Sequence, residues 1–393
     1  MAKLTIKDID FNNKTVLMRA DFNVPQDAAL SITDDTRIRA TLPTIKYILE
    51  HGVKRIVLMS HLGRPDGKVV AKFSLKPVAL RLEELLGEKV LFLNDCVGED
   101  IKKSVDSSKE RIVLLENLRF HAEEEGNDAN FAKKLAALGE VFVNDAFGTA
   151  HRAHASTEGV THFLKSAAGF LLGKEIEYLG SAVENPAKPF MVILGGAKVS
   201  DKIGMIENLL PKADAIIVGG GMAYTFLKAQ GKTIGNSKLE KDKLDLAKSI
   251  LAQAKSLNKD ILLPVDNVIV ETIGPDAKTE ICQEDIPDGK IAVDIGPKTI
   301  KLFKEKLKSA KTVVWNGPLG IFEMPAFSQG TREVAGFIAD LECTSIIGGG
   351  DTAAAIVKFN LEDKMTHIST GGGASLEYLE GKVLPGVAAL SDK

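Results

Sequence analysis

Four short apolar runs in the first half of the sequence end in residues able to hold an anion. Their exits read Asp21-Phe22-Asn23-Val24-Pro25, His61-Leu62-Gly63-Arg64-Pro65 and Glu116-Asn117-Leu118-Arg119-Phe120, and then the stretch from Asn144 and Asp145 to His151 and Arg152. Three of the four carry an arginine, and Arg37 and Arg39 follow Asp34-Asp35-Thr36 where a loop leads into a helical pattern. Guanidinium is a rigid fork matched to carboxylate and phosphate. One such arginine is an ordinary surface residue. Several converging on one sheet edge repel each other unless a polyanion neutralises them, and a small phospho-carboxylate would suit.

In the second half the exits are glycine clusters: Gly195-Gly196-Ala197-Lys198, Gly219-Gly220-Gly221-Met222, Asn316-Gly317-Pro318, Gly348-Gly349-Gly350-Asp351-Thr352 and Gly371-Gly372-Gly373-Ala374-Ser375. One cluster is a common turn. Five in one sheet describe a surface that a ligand approaches at backbone level. The cluster before Ala353 opens an Ala-rich helical stretch, which offers free amides and the positive end of a helix dipole to a phosphate. Asp351 there could hold Mg²⁺, which needs few protein carboxylates, or could cap the helix. Lys198 and Lys202, four apart, could reach phosphate oxygens from one side of a helix start, or form a solvated face. No G-x-x-x-x-G-K-[ST] is present, and no complete G-x-G-x-x-G at a strand-to-helix turn, so P-loop and dinucleotide chemistry are disfavoured. His151 and His154 have a spacing that could share a helical face. Arg152 lies between them and no third ligand stands at a metal-site spacing, so hydrogen bonding is the preferred reading.

These exits need a scaffold. Apolar runs at 15–18, 55–59, 111–115 and 140–143, then at 190–194, 215–218, 261–265, 291–293, 312–315, 345–347 and 367–369, alternate with helical patterns such as 77–86 and 241–255. The alternation predicts an α/β protein of two doubly wound, parallel-sheet, Rossmann-like domains. Leu172, Ile176, Leu179 and Val183 have helical spacing, and Pro186 and Pro189 break the chain before the next run. The expected division is 1–172, an inter-domain hinge helix over 173–189, 190–375, and a tail over 376–393.

Length agrees, since 393 residues exceed one core, which stops growing near roughly 250–300. Nine of ten arginines lie at or before Arg152, whereas 24 of 35 glycines follow residue 173, which separates an anion half from a nucleotide half. A net charge of −3 gives no bulk basic field for nucleic acid or anionic membrane. No apolar run approaches the ~20 residues that span a bilayer. Cys96, Cys282 and Cys343 are odd in number and far apart, as expected of reduced thiols in a cytoplasmic protein.

Taken in order, TRIRATLPTI, SHLGRP, LLENLRFH, DAFGTAHRAHAS, LGGAKVSDKI, GGGMAYTF, WNGPLG, GGGDT and TGGGASL make the chain resemble the phosphoglycerate kinases over essentially its whole length. The resemblance implies reversible transfer from 1,3-bisphosphoglycerate to MgADP by a monomer whose domains close about a hinge. It implies that Asp21, Phe22, Asn23, Arg37, His61, Leu62, Gly63, Arg64, Arg119 and Arg152 surround phosphoglycerate. Gly195, Lys198, Lys202, Gly219, Gly220, Asn316, Pro318, Glu323, Gly349, Gly350, Asp351 and Thr352 would surround the nucleotide, with Asp351 on Mg²⁺. Arg37, Lys198, Lys202, Gly371 and Gly372 would serve the transferring phosphoryl group, and the tail would return to the first domain. The adenine pocket is expected near Ile291 to Asp294, without assigned residues. A different acyl-phosphate kinase, of the acetate or carbamate type, would not need this many arginines. A regulator that kept the fold would be favoured by loss of Arg37, Lys198 or the last glycine run, and all are present.

Overall fold

The computed structural model describes residues 2–393. The first half forms strands β1 (Thr15–Arg19), β2 (Arg55–Met59), β3 (Val90–Phe92), β4 (Ile112–Leu114), β5 (Val141–Asn144) and β6 (Ser166–Ala168). They make one parallel sheet in the order β3-β4-β2-β1-β5-β6. Every residue of β2, β4 and β5 is buried, as expected for strands covered by helices on both faces. The core of this half joins Val16, Met18, Ile56, Leu58, Leu114 and Val143 to Ile38, Ile45 and Ile48 of the helix Thr36–Glu50.

The second half contains β7 (Phe190–Leu194), β8 (Ala215–Val218), β9 (Asp260–Leu262), β10 (Asp266–Val270), β11 (Glu280–Gln283), β12 (Ile291–Ile295), β13 (Thr312–Asn316), β14 (Thr344–Gly348) and β15 (His367–Ile368). Six of them form a second parallel sheet, β15-β14-β13-β7-β8-β9. The run at 291–293 does not join it. β12 pairs antiparallel with β10, and β11 completes a separate three-stranded sheet over its own apolar cluster of Val270, Val293 and Phe327. Of the run at 261–265 only Ile261 and Leu262 are strand, in β9; β10 starts beyond it at Asp266 and belongs to the other sheet. An apolar run specifies burial, not its pairing partner, and so pattern alone could not separate these strands.

In each parallel sheet the first strand is central. β1 lies between β2 and β5, and β7 lies between β8 and β13. Chain order therefore reverses at β1 and at β7, which is where open α/β sheets bind ligands. Contacts divide the chain into residues 1–177 with 383–393, and residues 178–382. The division falls inside the helix Phe170–Glu184, and residues 376–382 stay with the second unit. Within the first unit the tail is pinned by Gly386, whose amide donates to Ala150 at 2.8 Å and whose carbonyl accepts from Asn144 Nδ2 at 3.1 Å.

Asp145, just past β5, caps that helix. Its Oδ1 accepts from the amides of Leu171 at 2.8 Å and Leu172 at 3.2 Å. A Cβ on Gly169 would lie 2.2 Å from the same oxygen, so only glycine fits there. Burial outweighs hydrogen bonds from Thr44, Leu172 and Leu171 and pushes the Asp145 carboxyl up to about 7. Unfolded, it titrates near ~3.9. Between these values the folded protein keeps a proton that the unfolded chain has lost, so stability falls as pH rises through the window. Asp145→Asn keeps an accepting oxygen and removes the titration. The fall in urea-unfolding free energy between about pH 4 and 7 should shrink by on the order of 1–3 kcal/mol. An identical fall in the variant would show that Asp145 does not titrate there.

Candidate functional site

The first unit gathers its polar exits around β1. Asp21 is nearly buried, and its Oδ2 takes a 2.8 Å ion pair from Arg37 Nη1 at the start of the helix Thr36–Glu50. Asn23 Oδ1 accepts from the Gly63 amide at 2.9 Å, tying the exit of β1 to that of β2. Gly63 has φ +64°, and a Cβ there would strike the Phe73 ring at 2.3 Å. Arg119, on the 3-10 turn Leu118–Phe120 after β4, donates to the Gly63 carbonyl at 3.0 Å. Its Nε lies 3.1 Å from Glu125 Oε1, which Arg152 Nη1 approaches at 3.9 Å. Arg64 is exposed, with no hydrogen bond or ion pair to another described residue. Phe22 and Leu62 belong to the hydrophobic core, so only their backbone is available to a ligand.

Electrostatics ties these residues together. Burial holds His61 well below the usual imidazole range, reinforced by Arg19, Arg119, Arg37 and His154. His154 is held at about 3 by burial and then by Arg19, Arg119, Arg152 and His151. Arg119 is itself lowered by burial against the pull of Glu125, with Arg152 and Arg64 lowering it further. Cations that depress one another in this way form a region that an anion would relieve. His151 and His154 are not in a metal-binding arrangement. Among the described residues the His, Cys and carboxylate group of that kind is Asp95, Cys96 and His121, where His121 Nε2 sits 2.7 Å from Asp95 Oδ1.

In the second unit the glycine loops pack backbone against backbone. The amide of Gly195 donates to the Asn316 carbonyl, and that of Gly196 to the Pro318 carbonyl, each at 2.9 Å. Gly219 donates to Leu194 at 2.9 Å and Gly220 to Leu319 at 3.0 Å. A Cβ on Gly195 would lie 2.1 Å from the Pro318 carbonyl oxygen, and one on Gly220 would lie 2.7 Å from the Gly196 nitrogen. Lys202 Nζ donates to Asn316 Oδ1. Burial lowers the Lys202 ammonium, against the pull of Asp201, Asp351 and Glu380. Lys198 is exposed and makes no hydrogen bond or ion pair with another described residue.

The helix Gly350–Lys358 begins after Gly349, which has φ +85° and takes the cap position. Asp351 is therefore not the cap. It lies exposed in the first turn, without a hydrogen bond or ion pair to another described residue. Thr352 is buried and its hydroxyl accepts from the Gly317 amide at 2.6 Å. Gly371 and Gly372 follow β15, three strands out from β7, and share no hydrogen bond with the loops after β7 and β13.

A cavity of about 380 Å³ opens beside these loops. Its polar side is Gly196, Gly220, Pro318, Glu323 and Asp351, and its apolar side is Ile291, Ala292, Val293, Ile321 and Tyr224. It is thus a partly apolar recess beside the glycine-rich loops.

The chain matches the family model for phosphoglycerate kinase over residues 6–382. The chain belongs to the phosphoglycerate kinase family. It is 58% identical over 406 residues to the phosphoglycerate kinase of Koribacter versatilis, covering 100% of both chains. It is 57% identical over 394 residues to a cytosolic phosphoglycerate kinase of Arabidopsis thaliana, covering 99% of this chain and 98% of that one. The phosphoglycerate kinase structure from Coxiella burnetii superposes with a TM-score of 0.92 at 44% identity, covering 98% of each chain. The chain is accordingly a kinase that moves a phosphoryl group reversibly between 1,3-bisphosphoglycerate and ADP, giving 3-phosphoglycerate and ATP. Among the described residues no helix is long and apolar enough to cross a membrane.

Several residues escaped the sequence reading. Arg19 ends β1 with no exposed surface, and Glu124 is equally buried. The apolar run 15–18 stops one residue short of Arg19, and an arginine that ends a central strand is itself the signal. Tyr224 lies in the GGGMAYTF motif, but its place in the cavity wall depends on the turn of its helix.

Proposed function

We propose that the anion site of the first unit holds phosphoglycerate through Arg37, His61, Arg64, Arg119 and Arg152, with Asp21 and Asn23 orienting Arg37 and the Gly63 loop. The glycine loops hold the nucleotide phosphates, and the 380 Å³ cavity takes the adenine. Asp351 suits Mg²⁺, because an exposed carboxylate without a protein partner, beside phosphate-binding loops, is the donor such an ion takes while keeping water and phosphate oxygens. Bound there, the ion would neutralise phosphate charge.

In the ATP-consuming direction a carboxylate oxygen of 3-phosphoglycerate attacks the γ-phosphorus, and the bond from that phosphorus to the bridging oxygen of ADP breaks. The acceptor is already ionised at neutral pH, so no proton has to be removed. What remains is alignment and stabilisation of charge on the moving phosphoryl group. Arg37, Lys198 and the amides of Gly371 and Gly372 supply that charge, and Lys202 supports the nucleotide side. The observation that carries this reading is the split between a sheet edge of mutually repelling cations and one of backbone loops around a cavity.

A baseless mechanism has a kinetic consequence. His61 and His154 stay neutral because burial and nearby arginines hold them low. No protein group in the transfer should change protonation between about pH 6 and 8, so kcat, measured with both substrates saturating and after allowance for the ionisation of the substrates' own phosphates near pH ~6, should stay flat there. An ascending limb with an apparent pKa near ~6.5 would reveal a required base and sink the proposal.

A further inference from the structure

We propose that Arg19 is a positioning residue that locks His61 as the neutral tautomer with its proton on Nε2, so that the ring presents an N–H donor to the bound anion. The choice of ligand rests on the anion-site reading above; the tautomer itself does not.

Arg19 closes β1 and has no exposed surface. A guanidinium carries only N–H donors and no acceptor. Its Nη2 lies 3.1 Å from His61 Nδ1. That contact is attractive only if Nδ1 offers a lone pair, and the proton of a neutral ring must then sit on Nε2. Nε2 makes no hydrogen bond with another described residue, and His61 keeps 5% of its surface exposed, so the donor is available to a ligand.

The guanidinium cannot turn away to serve another partner. Nε donates to Ser156 Oγ at 2.8 Å, and Nη1 donates to the Ala20 carbonyl and approaches Ser60 Oγ at 3.4 Å. Ser156 hands the interaction on to Glu124, donating from Oγ at 2.6 Å and from its amide at 3.0 Å. Glu124 is fully buried and supplies the opposite charge that makes a buried Arg19 tenable. The sequence Glu124, Ser156, Arg19, His61 is therefore one polar chain running from the interior to the anion site.

The charged and titratable groups that act on His61 are Arg19, Arg119, Arg37 and His154, and all oppose a second proton, as burial does. Either alternative state would weaken anion binding. The other tautomer would turn a lone pair towards the ligand, and an imidazolium would forfeit the Arg19 contact.

Long-range proton–nitrogen NMR on the ¹⁵N-labelled full-length protein reads which ring nitrogen holds the proton. The wild type should show His61 protonated at Nε2 and bare at Nδ1, unchanged from about pH 5 to 8. A proton on Nδ1, or a ring titrating near ~6.5, overturns the proposal without recourse to any variant. Arg19→Lys keeps a donor and should keep the tautomer. Arg19→Met combined with Glu124→Gln, which leaves no uncompensated buried carboxylate, should give mixed tautomers of a ring that burial still keeps neutral. Its KM for 3-phosphoglycerate should rise about tenfold, with the nucleotide KM unchanged. Retention of the single Nε2–H tautomer in that double variant would show that Arg19 does not set it. Titration of the wild type with 3-phosphoglycerate separates the two claims: unmoved His61 resonances would remove the anion-site assignment of His61 and leave the tautomer result standing.

Discussion

Arg37→Ala is expected to lower kcat by about 10²–10³ while leaving the nucleotide Kd unchanged. Arg37 starts the helix Thr36–Glu50 and is held by Asp21 at 2.8 Å, with 39% of its side chain exposed. It is thus preorganised yet reachable, and it lies in the unit that lacks the glycine loops. A donor aimed at charge that develops only during transfer acts on kcat and not on binding of the nucleotide. Steady-state kinetics with ATP and 3-phosphoglycerate, alongside calorimetric ADP binding, measures both quantities. A kcat within a factor of about two of wild type would remove Arg37 from the transfer step.

Gly195→Ala should be nearly as damaging, by a different route. The added methyl would meet the carbonyl oxygens of Pro318 at 2.1 Å and Gly317 at 2.4 Å. These are backbone atoms and cannot rotate aside, so the loops after β7 and β13 must part. Parting displaces Asn316, the partner of Lys202, and the wall of the cavity proposed for the nucleotide. ADP affinity should fall at least about tenfold and the unit should lose on the order of 2–4 kcal/mol of stability, while 3-phosphoglycerate binding stays intact. Gly196→Ala is the control. Gly196 has φ +93° but nothing within 4 Å of its added carbon, so the change costs only backbone strain of about 1–2 kcal/mol. Calorimetry of ADP on the two variants decides. Equal losses would mean that crowding between the loops is not what shapes the site.

Much of this was legible before any coordinates. Runs such as 56–59 and 190–194 are uniformly apolar because a doubly covered parallel strand has no wet face, and the candidate site residues follow at their ends. Five glycine clusters could be read as a backbone-level surface because few other uses demand so many. What escaped has physical reasons. β3 and β6 are three residues each, and Ser166-Ala167-Ala168 lacks the β-branched signature of a strand. The antiparallel sheet stayed hidden because Ile291 to Val293 looks as apolar as any central strand, and pairing is a tertiary choice. Phe22 and Leu62 lie within ligand-binding motifs yet point into the core, since a motif marks a segment and not which of its side chains face the ligand. Arg19 escaped because a buried arginine becomes tenable only once Ser156 and Glu124, distant in sequence, close around it.

A site of many arginines and no base should move phosphoryl only to a carboxylate that carries its own phosphate. Trapping with hydroxylamine, which displaces inorganic phosphate from an acyl phosphate to give a hydroxamate read as its coloured ferric complex, tests this most directly. The purified protein with ATP and Mg²⁺ should form hydroxamate with 3-phosphoglycerate and none above background with acetate or carbamate. Comparable product from acetate or carbamate, or binding of both ligands without any turnover, would contradict the account.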